Sequence, residues 1–257
     1  LYFEYFADGD ENVFQQHIQS LEFLIYNQEG VLLSKQAVTP AAIQRQQVQL
    51  ALPPGEYRLV AWANRSEQSQ YVALDEFATG RIQPSNYGTS ALIKASDRLY
   101  YAQQELDVQL GETNNYPLTF ESAHFNFNIS VNGLEQEPSI QVQNIPAQYD
   151  MNKQLIPEAH ATYHPEIDYH PEKESYFYAF SVFRFRDDSP ITFILQDSEL
   201  SKPLVFRLDE LLASQDPPLS IEDKQEVVIP IEIDYDELQV NINIPDWDKE
   251  PSTPGIE

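Results

Sequence analysis

The stretch Gln47–Asn64, QVQLALPPGEYRLVAWAN, constrains the fold more than any other. Val48, Leu50 and Leu52 alternate with Gln47, Gln49 and Ala51, the period-two pattern of a strand with one buried face. Pro53-Pro54-Gly55 breaks the pattern, since proline fixes φ near a turn value and glycine accepts positive φ. A second strand follows, with Tyr57, Leu59 and Ala61 on one side and Arg58, Val60 and Trp62 on the other. The expectation is a hairpin or a tight β-arch.

The same period recurs along the chain. Leu1–Phe6 reads as a first strand. Ile18–Tyr26, with Leu21, Phe23 and Ile25 on one face, turns through Asn27-Gln28-Glu29-Gly30 and returns as Val31–Val38. Asn64–Arg98 is irregular and broken by Pro84, Asn86 and Gly88, after which Leu99–Ala102 and Glu105–Leu110 read as closing strands. Phe125, Phe127, Ile129 and Val131 against His124, Asn126, Asn128 and Ser130 give the cleanest alternation, ended by Asn132-Gly133. Ile140–Asn144 is short. Phe177–Arg186 and Ile191–Gln196 read as a hairpin about Asp187-Asp188-Ser189-Pro190. In Val227–Ile233, Pro230 requires an edge or a bulge because it cannot donate to a ladder. Leu238, Val240, Ile242 and Ile244 alternate in the last strand, and Leu208–Ser214 is the one convincing helix. Many short strands with turns between them indicate an all-β chain of antiparallel sandwiches.

Composition narrows what those strands can do. At 257 residues and 42% hydrophobic the chain can bury one large core or two ordinary ones. Its 41 acids against 15 bases give a net charge of −26, which repels phosphate backbones and excludes nucleic-acid binding. Through Pro117 there are 14 acids and 7 bases (−7), and afterwards 27 and 8 (−19). That asymmetry divides the chain into a domain at 1–117 and a domain at 118–247, with a loose tail at 248–257. No apolar run approaches the roughly 20 residues that span a bilayer. With no cysteine there are no disulfides, thiol nucleophiles or thiolate metal ligands. The chain opens directly on LYFEYF and reads as a mature form from which any targeting segment has been removed.

Little in the chain suggests catalysis. Asp8-Gly9-Asp10-Glu11-Asn12 lacks the spacing of a calcium loop and reads as a turn. His160, His164 and His170 lie in HATYHPEIDYHPE with Glu166 and Glu172, ligand types competent for zinc. The prolines there forbid the helix that would align His160 with His164, so the stretch reads as a solvated extended loop, with a metal site as its rival. No nucleophile elbow, phosphate loop or dinucleotide fingerprint is present, and no enzyme activity or cofactor is expected.

The order of landmarks resembles the FimB-like fimbrial anchor (minor fimbrillin) family of Bacteroidetes-type fimbriae. The matching pieces are Leu1-Tyr2-Phe3-Glu4-Tyr5, Leu21–Gly30, Leu52–Tyr57 running to Ala61-Trp62-Ala63-Asn64, Leu99-Tyr100-Tyr101, Phe125–Leu134, and a closing strand ending in Trp247. The resemblance implies two tandem transthyretin-like β-sandwich domains with Greek-key antiparallel sheets on a surface-exposed lipoprotein of the outer membrane. It implies a non-enzymatic anchor that tethers the fimbrial shaft, pairs a strand with the last shaft subunit and limits shaft length. Shaft relatives lose a first strand to proteolysis and accept a neighbour's strand in its place by β-augmentation. An anchor that keeps its first strand has no room for a donor. Leu1–Ser34 holds no Lys or Arg, and Arg45 is the first arginine at which a basic-residue protease could cut. Lacking a lipobox cysteine, the chain must carry any lipid upstream of Leu1. Leu238, Val240, Ile242 and Ile244 are the candidate partner strand, against the reading of an ordinary core strand. The alternative function is glycan binding, with Trp62 and tyrosines as a stacking platform, against the reading of aromatics as packing.

Overall fold

The computed structural model describes residues 1–170, 175–197, 202–236 and 239–245. The N-terminal half runs β1 (Tyr2–Glu4), α1 (Phe14–His17), β2 (Leu21–Asn27), β3 (Leu32–Ala37), α2 (Pro40–Gln44), β4 (Gly55–Ala63), β5 (Ser69–Val72), β6 (Arg81–Pro84), β7 (Tyr100–Val108), β8 (Pro117–Thr119) and β9 (Glu121–Ser122). The C-terminal half runs β10 (His124–Asn132), β11 (Ser139–Pro146), β12 (Tyr149–Asp150), β13 (His160–Tyr163), β14 (Asp168–His170), β15 (Ser175–Phe183), β16 (Thr192–Gln196), β17 (Leu204–Arg207), α3 (Leu208–Ala213), β18 (Val228–Asp236) and β19 (Gln239–Asn243). The chain is all-β, with several antiparallel sheets and three short helices among the described residues.

The main N-terminal sheet has the order β3-β2-β4-β7-β9 and is antiparallel throughout. Opposite it, β1 runs parallel to β8, and its other side is bonded to residues 46–48. Phe3, Phe14, Phe23 and Phe120 interlock between these layers, with ring centroids 5.4 to 6.5 Å apart around Phe3. Burying each such ring contributes about 1.5–3 kcal/mol. The C-terminal half stacks the sheet β14-β15-β10-β18-β19 on the sheet β13-β11-β16-β17. Its core is centred on Phe127, which stacks on Phe180 at 5.2 Å and meets Phe193 edge-on at 5.4 Å across the layers. Pro230 pairs with Asn128 on the β10 side, whereas pairing with β19 begins only at Glu232. Among the described residues the proline thus occupies a stretch of β18 with no strand neighbour on its second side, as its missing N–H requires.

A third core joins the halves. Leu24, Tyr26, Val60 and Trp62 on the outer face of the N-terminal sheet pack with Tyr101, Tyr149, Met151 and Phe183. Trp62 lies 4.9 Å from Tyr101 and 6.0 Å from Tyr149, which itself stacks on Phe183. The exchange runs both ways: β12 adds to the sheet of β6 and β5, while Ile93 enters the C-terminal core and bridges to Tyr163. His124 sits on this seam, buried, with Nδ1 3.0 Å from the Leu99 carbonyl oxygen. Burial lowers its pKa to about 4, although the Leu99 carbonyl favours the charged ring.

Four expectations are corrected. Val48–Leu52 is not a strand and not one arm of a hairpin; of the two forms expected, the arch between layers is the one seen. Phe3 N donates to Gln46 O at 2.8 Å and Val48 N to Leu1 O at 3.0 Å, so residues 46–48 bond β1 in the opposite layer while β4 lies between β2 and β7. The segments at Leu99–Ala102 and Glu105–Leu110 are one continuous strand, β7, because Gln103 and Gln104 pair with β4 without a break. β15 and β16 do not form a hairpin either, since they belong to different sheets. The turn between them is a corner held by Asp187, whose carboxylate accepts from Ser220 Oγ at 2.6 Å and Ile221 N at 2.9 Å. Finally, α1 and α2 join α3 as helices; α2 carries Thr39 as an N-cap accepting from Ala42 N and Pro40 in its first turn.

Candidate functional site

The sheet edges are where the described part of this chain can present bonding groups to a partner. An unpaired strand exposes a row of N–H and C=O groups that another strand can complete. β3 is the outer strand of the main N-terminal sheet and carries exposed Leu33 and Lys35, a lysine that discourages unspecific pairing. β19 is the outer strand on one side of the C-terminal sheet and pairs only with β18 among the described residues.

The proposed partner-strand residues fall on this last edge. Leu238 lies outside the described residues. Val240 pairs with Tyr235 and Ile242 with Ile233 across β18–β19. Ile242 packs half-buried against the C-terminal core, and Ile244 is buried in it. These isoleucines therefore face their own core, and what β19 offers outward is its backbone.

The first strand is in place. Tyr2, Phe3 and Glu4 align with Pro117, Leu118 and Thr119, and Tyr2 N donates to Tyr116 O at 3.1 Å. Beside Leu1 opens a groove of about 830 Å³, walled by residues 47–52 and 106–116. Arg45 caps the C-terminus of α2 and is exposed. A cut there would sever β1, β2 and β3 together from β4, and β2 pairs with β4 over seven residues. Such a cut would not free one strand, because β1 would stay on the same piece as β2 and β3.

The histidines are divided between two sheets. His160 is exposed on β13, at the edge of one C-terminal sheet, while His170 lies on β14, at the edge of the other. The stretch is thus largely strand, not an extended loop, and His164 N donates to Ile93 O at 2.7 Å. Among the described residues no three His, Asp or Glu side chains are arranged to hold a metal ion. The stacking platform proposed at Trp62 is likewise absent from the surface: Trp62 is fully buried, as are Tyr5, Tyr26, Tyr149, Tyr163 and Tyr178. The aromatics are core because both faces of β4 are covered.

The seam bonds beside β1 carry no sequence motif. Asp8, read above as part of a plain turn, accepts from two backbone amides of the C-terminal half, and Tyr5 reaches Glu226. Partners 221 positions apart leave no local signal.

No curated protein matches this chain. Among solved structures it is similar in fold to a candidate polysaccharide-binding protein from Bacteroides thetaiotaomicron, with TM-score 0.78 and 13% identity over 96% of this chain and 95% of that one. A candidate adhesin from the same organism gives 0.70 and 16% identity over 95% and 94%. The fimbrial anchor protein Mfa2 from Porphyromonas gingivalis gives 0.62 and 12% over 94% and 96%. The family model of the fimbrillin-A associated anchor proteins Mfa1 and Mfa2 matches residues 1–252. By that match, which takes in every strand described above, the chain belongs to the fimbrillin-A associated anchor protein family.

Proposed function

We propose that the protein is a non-enzymatic fimbrial anchor or minor subunit built from two tandem transthyretin-like sandwiches with Greek-key connections, divided near Pro117. It tethers the fimbrial shaft to the outer membrane through a lipid attached upstream of Leu1, engages the last shaft subunit by strand pairing, and limits shaft length. The observation that carries this reading is the family match over residues 1–252. The first strand supports it: β1 occupies its slot between β8 and residues 46–48, so no vacant position awaits a donor. The edge of β19, which carries Val240 and Ile242, is the surface offered to the shaft, since its far side has no strand neighbour among the described residues.

Deleting the gene tests the role directly. Shaft protein is expected to move from cells to medium, as longer fibres. Fimbriae that remain attached and unchanged in length would remove the anchor role.

A further inference from the structure

The first eight residues are held by both halves of the molecule. After β1 the chain turns at Ala7, whose φ of +49° is a left-handed value that a β-carbon disfavours, and this turn aims Asp8 at the C-terminal half. The Asp8 carboxylate accepts from Gln225 N at 2.9 and 3.1 Å and from Glu226 N at 3.2 Å. Tyr5 and Tyr100, both buried, donate their hydroxyls to Glu226 Oε1 at 2.5 and 2.9 Å, and His17 Nδ1 lies 3.1 Å from the same oxygen. Burial, with Glu226 beside them, raises the pKa of both phenols and keeps them as donors.

The loop that receives these bonds is itself fixed. Arg184 donates to the carbonyl oxygens of Glu222 at 2.8 Å, Lys224 at 2.6 Å and Gln225 at 3.4 Å. Gln225 Oε1 accepts from Ser122 N at 2.8 Å. The arginine also lies 4.3 Å over the Phe125 ring. One guanidinium thus shapes residues 222–225 and holds them against the C-terminal core.

We propose that residues 222–226 are a latch that makes release of the first strand conditional on breaking contacts with the C-terminal half. β1 has three ladder positions with β8 and a short bonded stretch at residues 46–48, two narrow edges to which the latch adds a third attachment. The carboxylate bonds at Asp8 and Glu226 are of the stronger, charge-assisted kind. The latch gives the retained first strand of the proposed anchor a physical cause, yet it belongs to the chain whether or not the chain anchors a fimbria.

Amide hydrogen exchange of the full chain reads the latch directly. Tyr5→Phe, Asp8→Ala and Glu226→Ala are compared with Ile129→Val, a control that weakens the C-terminal core away from the latch. The expected result is at least tenfold faster exchange at Tyr2, Phe3 and Phe120 in Asp8→Ala and Glu226→Ala, with a smaller rise in Tyr5→Phe. Amides of β2 and β4 keep the parent rate. Unchanged exchange at Tyr2 and Phe3 would overturn the latch, as would a rise shared equally by β4 or by the control. Shed fimbriae in the deletion strain with unchanged exchange in these variants would keep the anchor role and overturn the latch, and attached fimbriae with faster exchange would do the reverse, so the two ideas fail separately.

Discussion

The two large sheets solve burial in different ways. In the N-terminal sheet, Phe23, Ile25, Leu59 and Ala61 face that half's own core, while Leu24, Tyr26, Val60 and Trp62 face the seam. In the C-terminal sheet, the outer half of β10 is one-sided: Ile129 and Val131 are buried, whereas Asn128, Ser130 and Asn132 are only half-buried. Near the seam β10 changes character, and His124 through Phe127 are buried on both faces. A sheet covered on one face writes its burial into the sequence as alternation. A sheet covered on both faces writes an apolar run, and the run does not name the partner that covers it.

The largest expected effect comes from breaking the second face. Trp62→Ala should cost about 3–5 kcal/mol in chemical denaturation, as for other fully buried aromatics. A loss below about 1 kcal/mol would mean that the seam is a loose contact and that both sheets are in effect one-sided.

Next is acid. His124 has a pKa of about 4 in the folded chain, below the ordinary 6.5, so the unfolded chain takes up its proton first as pH falls. Its stabilisation is complete above pH 6.5, is lost between 6.5 and 4 at roughly 1.4 kcal/mol per pH unit, and changes no further below 4. His124→Gln should flatten that window in thermal melts taken from pH 7 to pH 4, and parallel curves for the two proteins would refute it.

The one-sided part of β10 is sharpened by a pair of conservative changes. Ile129→Val should cost about 0.5–1.5 kcal/mol and Asn128→Ser less than about 0.5. Equal costs would show that both faces are packed there too. Smallest of all is Lys94→Gln, which removes an exposed ion pair with Glu166 and should stay within about 0.5 kcal/mol.

The same contrast explains what the sequence could disclose. β10, the paired strands β2 and β3, and α3 were legible because each obeys a local period. Pro230 was legible because a missing donor restricts position whatever the fold. The N-cap and proline of α2 also stand in the sequence, as Thr39-Pro40, but a helix of five residues is too short to show a period behind them. Val48–Leu52 misled for a different reason. Its alternation is real, and Leu50 and Leu52 do pack half-buried on the core, but alternation fixes a face and says nothing of which strand lies alongside. Choosing β1 over β4 is a long-range decision. So is the corner at Asp187, where a turn sequence fits a hairpin and a change of sheet equally well. The edge at β19 was found as a strand, and its openness depends on neighbours that no local pattern encodes.

Met151 is the chain's single methionine. It is fully buried in the seam, beneath Gly80, where even an added β-carbon would come within 2.8 Å of its Cγ. A thioether becomes a sulfoxide only when an oxidant reaches the sulfur. One extra oxygen located on Met151 by peptide mapping therefore records an opening of the seam, at one atom and without a label. The molecule carries its own dosimeter for the separation of its halves, and peroxide is enough to read it.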